Sequence, residues 1–285
     1  MTVQDVALSV FGRSDIGKVR QKNEDAFVIA DLMQSLPIHS MPAPIDLKVD
    51  CRGVLLAVSD GMGGAQAGEV ASAMTLHGLR LEMPSGEGGS AEAALKASVE
   101  KANQNVWQAA AETGRTGMGA TLTAVLIHGT RAYVAEVGDS RAYLLRGSHF
   151  VQLTHDQSFA QRLIDAGTIT HEQVETLPTR NAILQAIGTE PTVVVALNRL
   201  TLRRGDRILI CSDGLSGKVK DNEIRELLLT IPDLDAACAQ LIHMANSRGG
   251  EDNITVVLAE MQGHGLAAMT GEERVSLETV QAFAG

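Results

Sequence analysis

Residues 54–64, Val-Leu-Leu-Ala-Val-Ser-Asp-Gly-Met-Gly-Gly, and residues 208–217, Ile-Leu-Ile-Cys-Ser-Asp-Gly-Leu-Ser-Gly, follow one pattern. Each is an apolar run of strand length, then Ser-Asp-Gly, then a further glycine. A single Asp-Gly is ordinarily a tight turn, because glycine supplies positive φ. Two of them, each closing an apolar strand, describe a device that brings two carboxylates to one sheet edge.

The 285 residues suffice for one large domain or two small ones, and 45% hydrophobic content supplies a sizeable core. Aromatics are only 3%, so aliphatic side chains must build it. The formal net charge of −10 argues against a nucleic-acid groove, which needs clustered Lys and Arg. A phosphate-bearing substrate would have to be drawn in locally, for example by metal ions. Cys211 and Cys238 fall in apolar periodic segments and read as small core residues; with Cys51 they form no Cys-x-x-Cys, and no disulfide framework is expected. No apolar stretch approaches membrane-spanning length and the N-terminus lacks a signal-peptide pattern, so a reducing cytoplasm is expected.

Along the chain, residues 3–11 read as a first strand and 12–17 as a loop. Residues 26–32 read as a second strand. If 26–32 and 54–59 pair as an antiparallel hairpin, Asp25 and Asp60 share one end. The proline-bearing connection 33–53 then sits at the other end, as a solvated excursion or, alternatively, a lid. Val70, Ala73, Met74, His77 and Leu81 keep helical spacing on one face, with His77 lining a groove or at the surface. A second helix begins near Ser90, with Leu95, Ala102, Val106 and Ala109 as its stripe, and stops at Gly114.

Runs 119–127 and 131–137 are strand-like, with Gly129 at the turn, and lead to Asp139 in a tight turn before Ala142–Leu145. Phe150–Leu153 is a short strand, Ser158–Ala166 a helix, and Thr170 with Gln173 has capping-box spacing. Segment 156–190 contains no long apolar run and reads as a subdomain laid over the core. Strands are expected at 192–200 and 206–212, helices at 221–229 and 233–247, and a last strand at 254–261, with Asp252 at its entrance. The tail 263–285 has weak helical character near 272–282.

Glu24, Asp25, Asp60, Asp139, Asp213 and Asp252 thus all sit at strand ends, with Arg20 near in sequence. Hard oxygen donors with little His or Cys select Mg²⁺ or Mn²⁺ over zinc or copper. Two such ions 4 Å apart repel by roughly 17 kcal/mol at an effective dielectric of 20, which several carboxylates, one of them bridging, must offset. Without cations the carboxylates would repel one another and some would hold protons. The competing reading is a set of separate turn-capping aspartates.

These motifs occur in order: Ser14-Asp15-x-Gly17-x-Val19-Arg20-x-x-Asn23-Glu24-Asp25, Asp60-Gly61-Met62-Gly63-Gly64, Gly119-Ala120-Thr121, Gly138-Asp139-Ser140-Arg141, Asp213-Gly214 and Glu251-Asp252-Asn253-Ile254-Thr255. Together they resemble the metal-dependent serine/threonine protein phosphatases, the protein phosphatase 2C-like family, in their compact bacterial form, over about residues 5–262. The resemblance implies an α+β fold, a four-layer α-β-β-α sandwich of two antiparallel sheets with helices outside. It implies a catalytic domain over 1–262 with a flap at 156–190, and a tail at 263–285.

The resemblance also implies roles. Asp60 would bridge two Mn²⁺ or Mg²⁺ ions, the Gly61 carbonyl would bind the second, and Asp213 and Asp252 would complete the first. Glu24 and Asp25 would act through water, and Asp139 with Asp213 would hold a third, weaker ion. Arg20 would grip the substrate phosphate, a task suited to its planar fork. The implied reaction is hydrolysis of phosphoserine and phosphothreonine on proteins by a water shared between two ions, with no phosphoenzyme. An opposing serine/threonine kinase, a monomeric state, and no nucleic-acid or membrane partner complete the expectation.

The chain departs from the family pattern at three places. Met62 stands where many members have a histidine proposed to protonate the leaving group; a thioether cannot, which leaves water or another group, with His155 conceivable. Asp156-Gln157 stands for the usual Asp-His, and Gln185 for a common arginine. Two rival functions are a phosphoprotein-binding pseudoenzyme and a hydrolase of small phosphate esters. The first would be expected to lose metal ligands, and the second finds no Gly-x-x-x-x-Gly-Lys loop in support.

Overall fold

The run 54–58 is apolar without alternation because both its faces are buried. Leu55 and Ala57 join one core cluster while Val54, Leu56 and Val58 join another. The computed structural model describes residues 5–34, 38–63, 67–83, 90–115, 117–174, 177–179, 182–270 and 273–283. The first part of the chain forms β1 (Ala7–Asp15), β2 (Asp25–Asp31), β3 (Ile45–Lys48), β4 (Val54–Met62), α1 (Ala67–Glu82) and α2 (Ala91–Thr113). The middle forms β5 (Gly119–Ala120), β6 (Leu122–His128), β7 (Arg131–Val137), β8 (Arg141–Arg146), β9 (His149–Gln152), α3 (Phe159–Asp165) and α4 (His171–Val174). The remainder forms β10 (Ala196–Thr201), β11 (Arg207–Cys211), α5 (Asp213–Ser216), α6 (Asp221–Thr230), α7 (Leu234–Ser247), β12 (Ile254–Gln262) and β13 (Glu278–Gln281).

Two antiparallel sheets result. One runs β3-β1-β12-β11-β8-β9 and the other β13-β10-β7-β6-β4-β2, with β5 paired to the end of β4. The inner faces meet through Leu8, Val10, Ile29, Leu56, Val125, Leu144, Ile208 and Val257. The outer face of the second sheet packs on α1 and α2 through Leu79, Leu95, Val99 and Leu126. The outer face of the first packs on α6 and α7 through Leu209, Ile224, Cys238 and Leu258. Period-two alternation therefore divides each inner strand between two cores. The fold is the four-layer α-β-β-α sandwich, with Cys211 and Cys238 in its core as expected.

Several local expectations are corrected. The 12–17 loop is partly strand: β1 continues to Asp15, which pairs with Ile254. The 33–53 excursion is not merely solvated. Ile38 bridges Ile29 on the edge of one sheet, β3 adds to the edge of the other, and Ile38, Met41, Ile45 and Leu47 pack on the inter-sheet core; residues 35–37 of that excursion lie outside the description. It closes one side of the sandwich, which hides the edges of β1 and β2.

The face of α1 is also different. Ala71, Ser72, Thr75, Leu76, Gly78 and Leu79 are buried, whereas Ala73, His77 and Leu81 are exposed. Small residues allow close approach to α2: a Cβ at Gly78 would lie 3.4 Å from Ala102. The tail's weak helical pattern gives way to β13, which pairs with β10; residues 271, 272, 284 and 285 are outside the description.

Candidate metal centre

Asp25 pairs with Asp60 in the β2–β4 register, so the predicted hairpin brings both to one end. Asp139 does not sit in a hairpin. β7 and β8 belong to different sheets, and Gly138-Asp139-Ser140 crosses between them at that same end. Gly138 has φ +108, and a Cβ there would come within 2.8 Å of Thr121. Asp213 begins α5 directly after β11, instead of ending the strand, and Asp252 precedes β12. Both sheets therefore contribute carboxylates to a single edge.

Their mutual influence shows the convergence. Burial pushes the Asp60 carboxyl well above its ordinary value, and Asp25, Asp213, Asp252 and Asp139 push it further. Asp139 is raised likewise, by burial first and then by Asp213 and Asp156. Asp25 rises to about 7, chiefly through burial, although Ser212 and Thr255 oppose the shift by hydrogen bonding. Asp213 rises to about 6, again through burial and then Asp252. Separate turn caps would face water and their own backbone, not one another.

A lattice of small polar side chains holds these acids. Ser212 Oγ donates to Asp25 Oδ2 at 2.7 Å and accepts from the Thr255 N–H at 3.0 Å. Thr121 Oγ1 accepts from the Asp60 N–H at 3.0 Å and lies 2.7 Å from Ser140 Oγ. Asn253, 2% exposed, accepts the Glu24 N–H at 2.8 Å and donates to the Ile16 and Lys22 carbonyls. The loop carrying Arg20 is thereby tied to the segment that carries Asp252 into β12. Gly61 sits where a Cβ would strike the Gly68 carbonyl and come within 2.7 Å of the Glu24 carbonyl. Glu24's carboxylate lies over Gly68 in the first turn of α1, where a negative charge suits the helix end.

Arg20 reaches the edge as expected. Its Nη2 donates to Asp252 Oδ2 at 2.7 Å, and its Nη1 is 4.0 Å from Glu24. Met62 lies near Gly119, where an added Cβ would come 3.1 Å from its Cε. His155 is 65% exposed in its side chain and pairs with Asp165 at 2.8 Å, so it behaves as a surface histidine.

Among the described residues, no three His, Cys, Asp or Glu side chains stand as a preformed ligand set. The residues nevertheless fit divalent ions. Asp25 Oδ1 and Asp213 Oδ1 are both buried with no hydrogen-bond partner, a costly state for a carboxylate unless a cation supplies the missing interaction. Every donor is a hard oxygen, and the like charges crowd together. Arg20 supplies a counter-cation to this set through its bond to Asp252.

Sequence reading missed Glu136, which is 2% exposed on β7. Its Oε2 accepts the His155 N–H at 2.9 Å, its Oε1 is buried without a partner, and burial raises its carboxyl well above the ordinary range. An acid inside an apolar strand just before Gly-Asp was the available signal. The two departures at 157 and 185 prove to be partners. Gln185 Nε2 donates to Gln157 Oε1 at 2.8 Å, and Gln157 Oε1 also accepts the Gly138 N–H at 2.8 Å. Beside the acids opens a cleft of about 590 Å³, walled by Arg141, Gln161, Ile164 and Lys218.

The chain as a whole has counterparts among known proteins. The family model described as protein phosphatase 2C matches residues 10–163. The serine/threonine protein phosphatase PstP of Mycobacterium tuberculosis is 39% identical over 257 residues, covering 90% of this chain and 45% of that protein. The chain thus spans about half the length of that curated relative. The serine/threonine phosphatase stp of Listeria monocytogenes is 34% identical over 256 residues, covering 87% of this chain and 94% of that protein. The crystal structure of the PstP catalytic domain in complex with two manganese ions has a TM-score of 0.75 and 38% identity, covering 90% of this chain and 99% of that one. Fold and sequence agree over most of the length, and the chain belongs to the protein phosphatase 2C family.

Proposed function

We propose that this chain hydrolyses phosphoserine and phosphothreonine on proteins with the help of divalent metal ions. The observation that carries the reading is the meeting of Asp25, Asp60, Asp139, Asp213 and Asp252 from both sheets, beside Arg20. Asp60, the Gly61 carbonyl, Asp213 and Asp252 would hold two Mn²⁺ or Mg²⁺ ions. Glu24 and Asp25 would assist through water, and Asp139 with Asp213 would take a third. When bound, such ions supply Lewis acidity that lowers the pKa of a water nucleophile and neutralises charge on phosphoryl oxygens.

The chain's own residues do the rest by position. Arg20 lies beside the acids with half its side chain exposed, so its guanidinium can turn to a phosphate dianion. The adjoining cleft, walled on one side by Asp156, Ser158, Gln161, Ile164 and Val174 of the flap, would receive the peptide. Met62 has no proton to give and His155 is paired with Asp165, so the departing serine or threonine oxygen would take its proton from water. A cysteine route finds no candidate: burial raises Cys211 to about 12 and Cys238 further, and Cys51 precedes β4 at the end away from Asp60.

The reading extends to a monomeric, cytoplasmic signalling enzyme opposed by a serine/threonine kinase. Among the described residues, no helix is long and apolar enough to cross a membrane, and the net charge of −10 disfavours nucleic acid. Turnover of a phosphopeptide, free phosphoserine and a nucleotide, each with and without Mn²⁺, tests it. Mn²⁺-dependent release from the phosphopeptide above the other two is expected. Equal or greater release from the small esters would make this a small-ester hydrolase, and no release at all a binding protein.

A further inference from the structure

The opposite end of the sandwich holds a different kind of site. A cleft of about 260 Å³ is lined by Arg131, Arg146, Arg199, Arg203 and Arg274. Arg131 opens β7 and pairs with Thr201 at the end of β10, while Arg146 ends β8. Asp139 follows β7 at its other end, eight residues from Arg131, or roughly 25 Å at strand rise. The cleft is therefore distinct from the acid edge, and it concentrates cations in a chain of net charge −10.

The chain itself shows what these guanidinium groups bind. Arg203 forks onto Glu273 with contacts of 2.5–3.0 Å, and Arg199 onto Glu278 at 2.5 and 2.9 Å. Both glutamates belong to the tail, which reaches the cleft by adding β13 to β10. Arg146 is 4% exposed. Its Nε and Nη2 are held by Asp206 and the Thr201 carbonyl, but its Nη1 makes no hydrogen bond and is not among the sealed polar atoms. Arg131 and Arg274 form no side-chain hydrogen bond or ion pair among the described residues. The carboxylates of the lining are thus bonded to Arg199 and Arg203, whereas Arg131, which acts on Glu278 only at a distance, and Arg274 have no bonded partner among the described residues.

We propose that this arginine cleft is a second oxyanion site, which takes a phosphate group. Two guanidinium groups with no bonded carboxylate, Arg131 and Arg274, match a phosphate dianion, whose oxygens can accept from donors on separate elements at once. A planar carboxylate would satisfy only one fork, as Glu273 and Glu278 already do. Free inorganic phosphate and a phosphoryl group on a protein chain present the same chemistry to these donors.

The test uses full-length protein freed of metal with a chelator, so that the acid edge repels anions and hydrolysis does not enter. Calorimetric titration with inorganic phosphate is expected to show one site. Arg131→Ala/Arg274→Ala should weaken it at least about tenfold, two charge-assisted contacts being lost. Arg13→Ala/Arg225→Ala, which removes two charges from the α6–α7 side, should leave it unchanged. A phosphoserine peptide binding tenfold tighter than inorganic phosphate would identify the protein-borne group as the ligand, and equal affinity the free ion. Absence of binding, or equal weakening by both double variants, would overturn the site.

Discussion

Asp25 and Asp60 stand opposite one another across the β2–β4 pair, two buried carboxyl groups, and the charge of Asp25 adds to burial in raising the affinity of Asp60 for a proton or a cation. From an ordinary value of 3.8, Asp25 rises to about 7 and Asp213 to about 6. The folded, metal-free chain therefore binds these protons more tightly than the unfolded chain does. The stability these two groups contribute is fully present below about pH 4 and is lost as pH rises through the window to about 7. Divalent ions replace the protons, so the rise in Tm on adding Mn²⁺ should be larger at pH 8 than at pH 5. Thermal melts with chelator and with Mn²⁺ measure it; an equal rise at both pH values contradicts the assignment.

Arg20 is bonded to Asp252 but nearly half exposed, so Arg20→Ala should leave the fold intact. A guanidinium that grips the phosphate in ground and transition states alike contributes mainly to KM. Loss of a charged hydrogen bond predicts a rise of about 10- to 100-fold in KM for a phosphopeptide, with kcat little changed. Steady-state kinetics decides this, and an unchanged KM removes Arg20 from the phosphate site.

Gln157 and Gln185 should behave as one unit. Gln157 exchanges two hydrogen bonds with Gly138, next to Asp139, through its Oε1 and its N–H. Gln185 ties it to the Val194 backbone at 2.6 and 3.1 Å. A double-mutant cycle with Gln157→Ala and Gln185→Ala should show a coupling of about 0.5–3 kcal/mol in urea denaturation. Additive losses would mean that the two amides act independently.

Asn253→Ala should remove three hydrogen bonds to the backbone of the 16–24 loop and its neighbours. With polar groups left in a dry setting, about 2–4 kcal/mol of stability should go, together with Mn²⁺ affinity. Chemical denaturation with and without Mn²⁺ checks both; a variant as stable as the parent would show that the loop needs no such anchor.

The acid edge was legible because its signals are local. Strands buried on both faces read as apolar runs, Asp-Gly marks where they stop, and the residue types select the ion. What escaped depends on contacts between distant segments. Ser212, Thr255, Thr121 and Ser140 are unremarkable polar residues until two sheets bring them together. Small side chains define the buried face of α1, where hydrophobic periodicity is weakest. The strands at 45–48 and 278–281 exist because open sheet edges await them, and neither has a pattern strong enough to announce itself. The partnership of Gln157 with Gln185 likewise spans 28 positions.

The proposed cation site draws together carboxylates separated by more than two hundred residues. Calorimetric titration of Mn²⁺ into the parent chain, Asp60→Asn and Asp213→Asn addresses it directly. The account predicts at least two ions per parent chain, and in each variant a loss of affinity beyond the roughly 10- to 100-fold of an outer-shell change. Unchanged stoichiometry and affinity in both variants would contradict it.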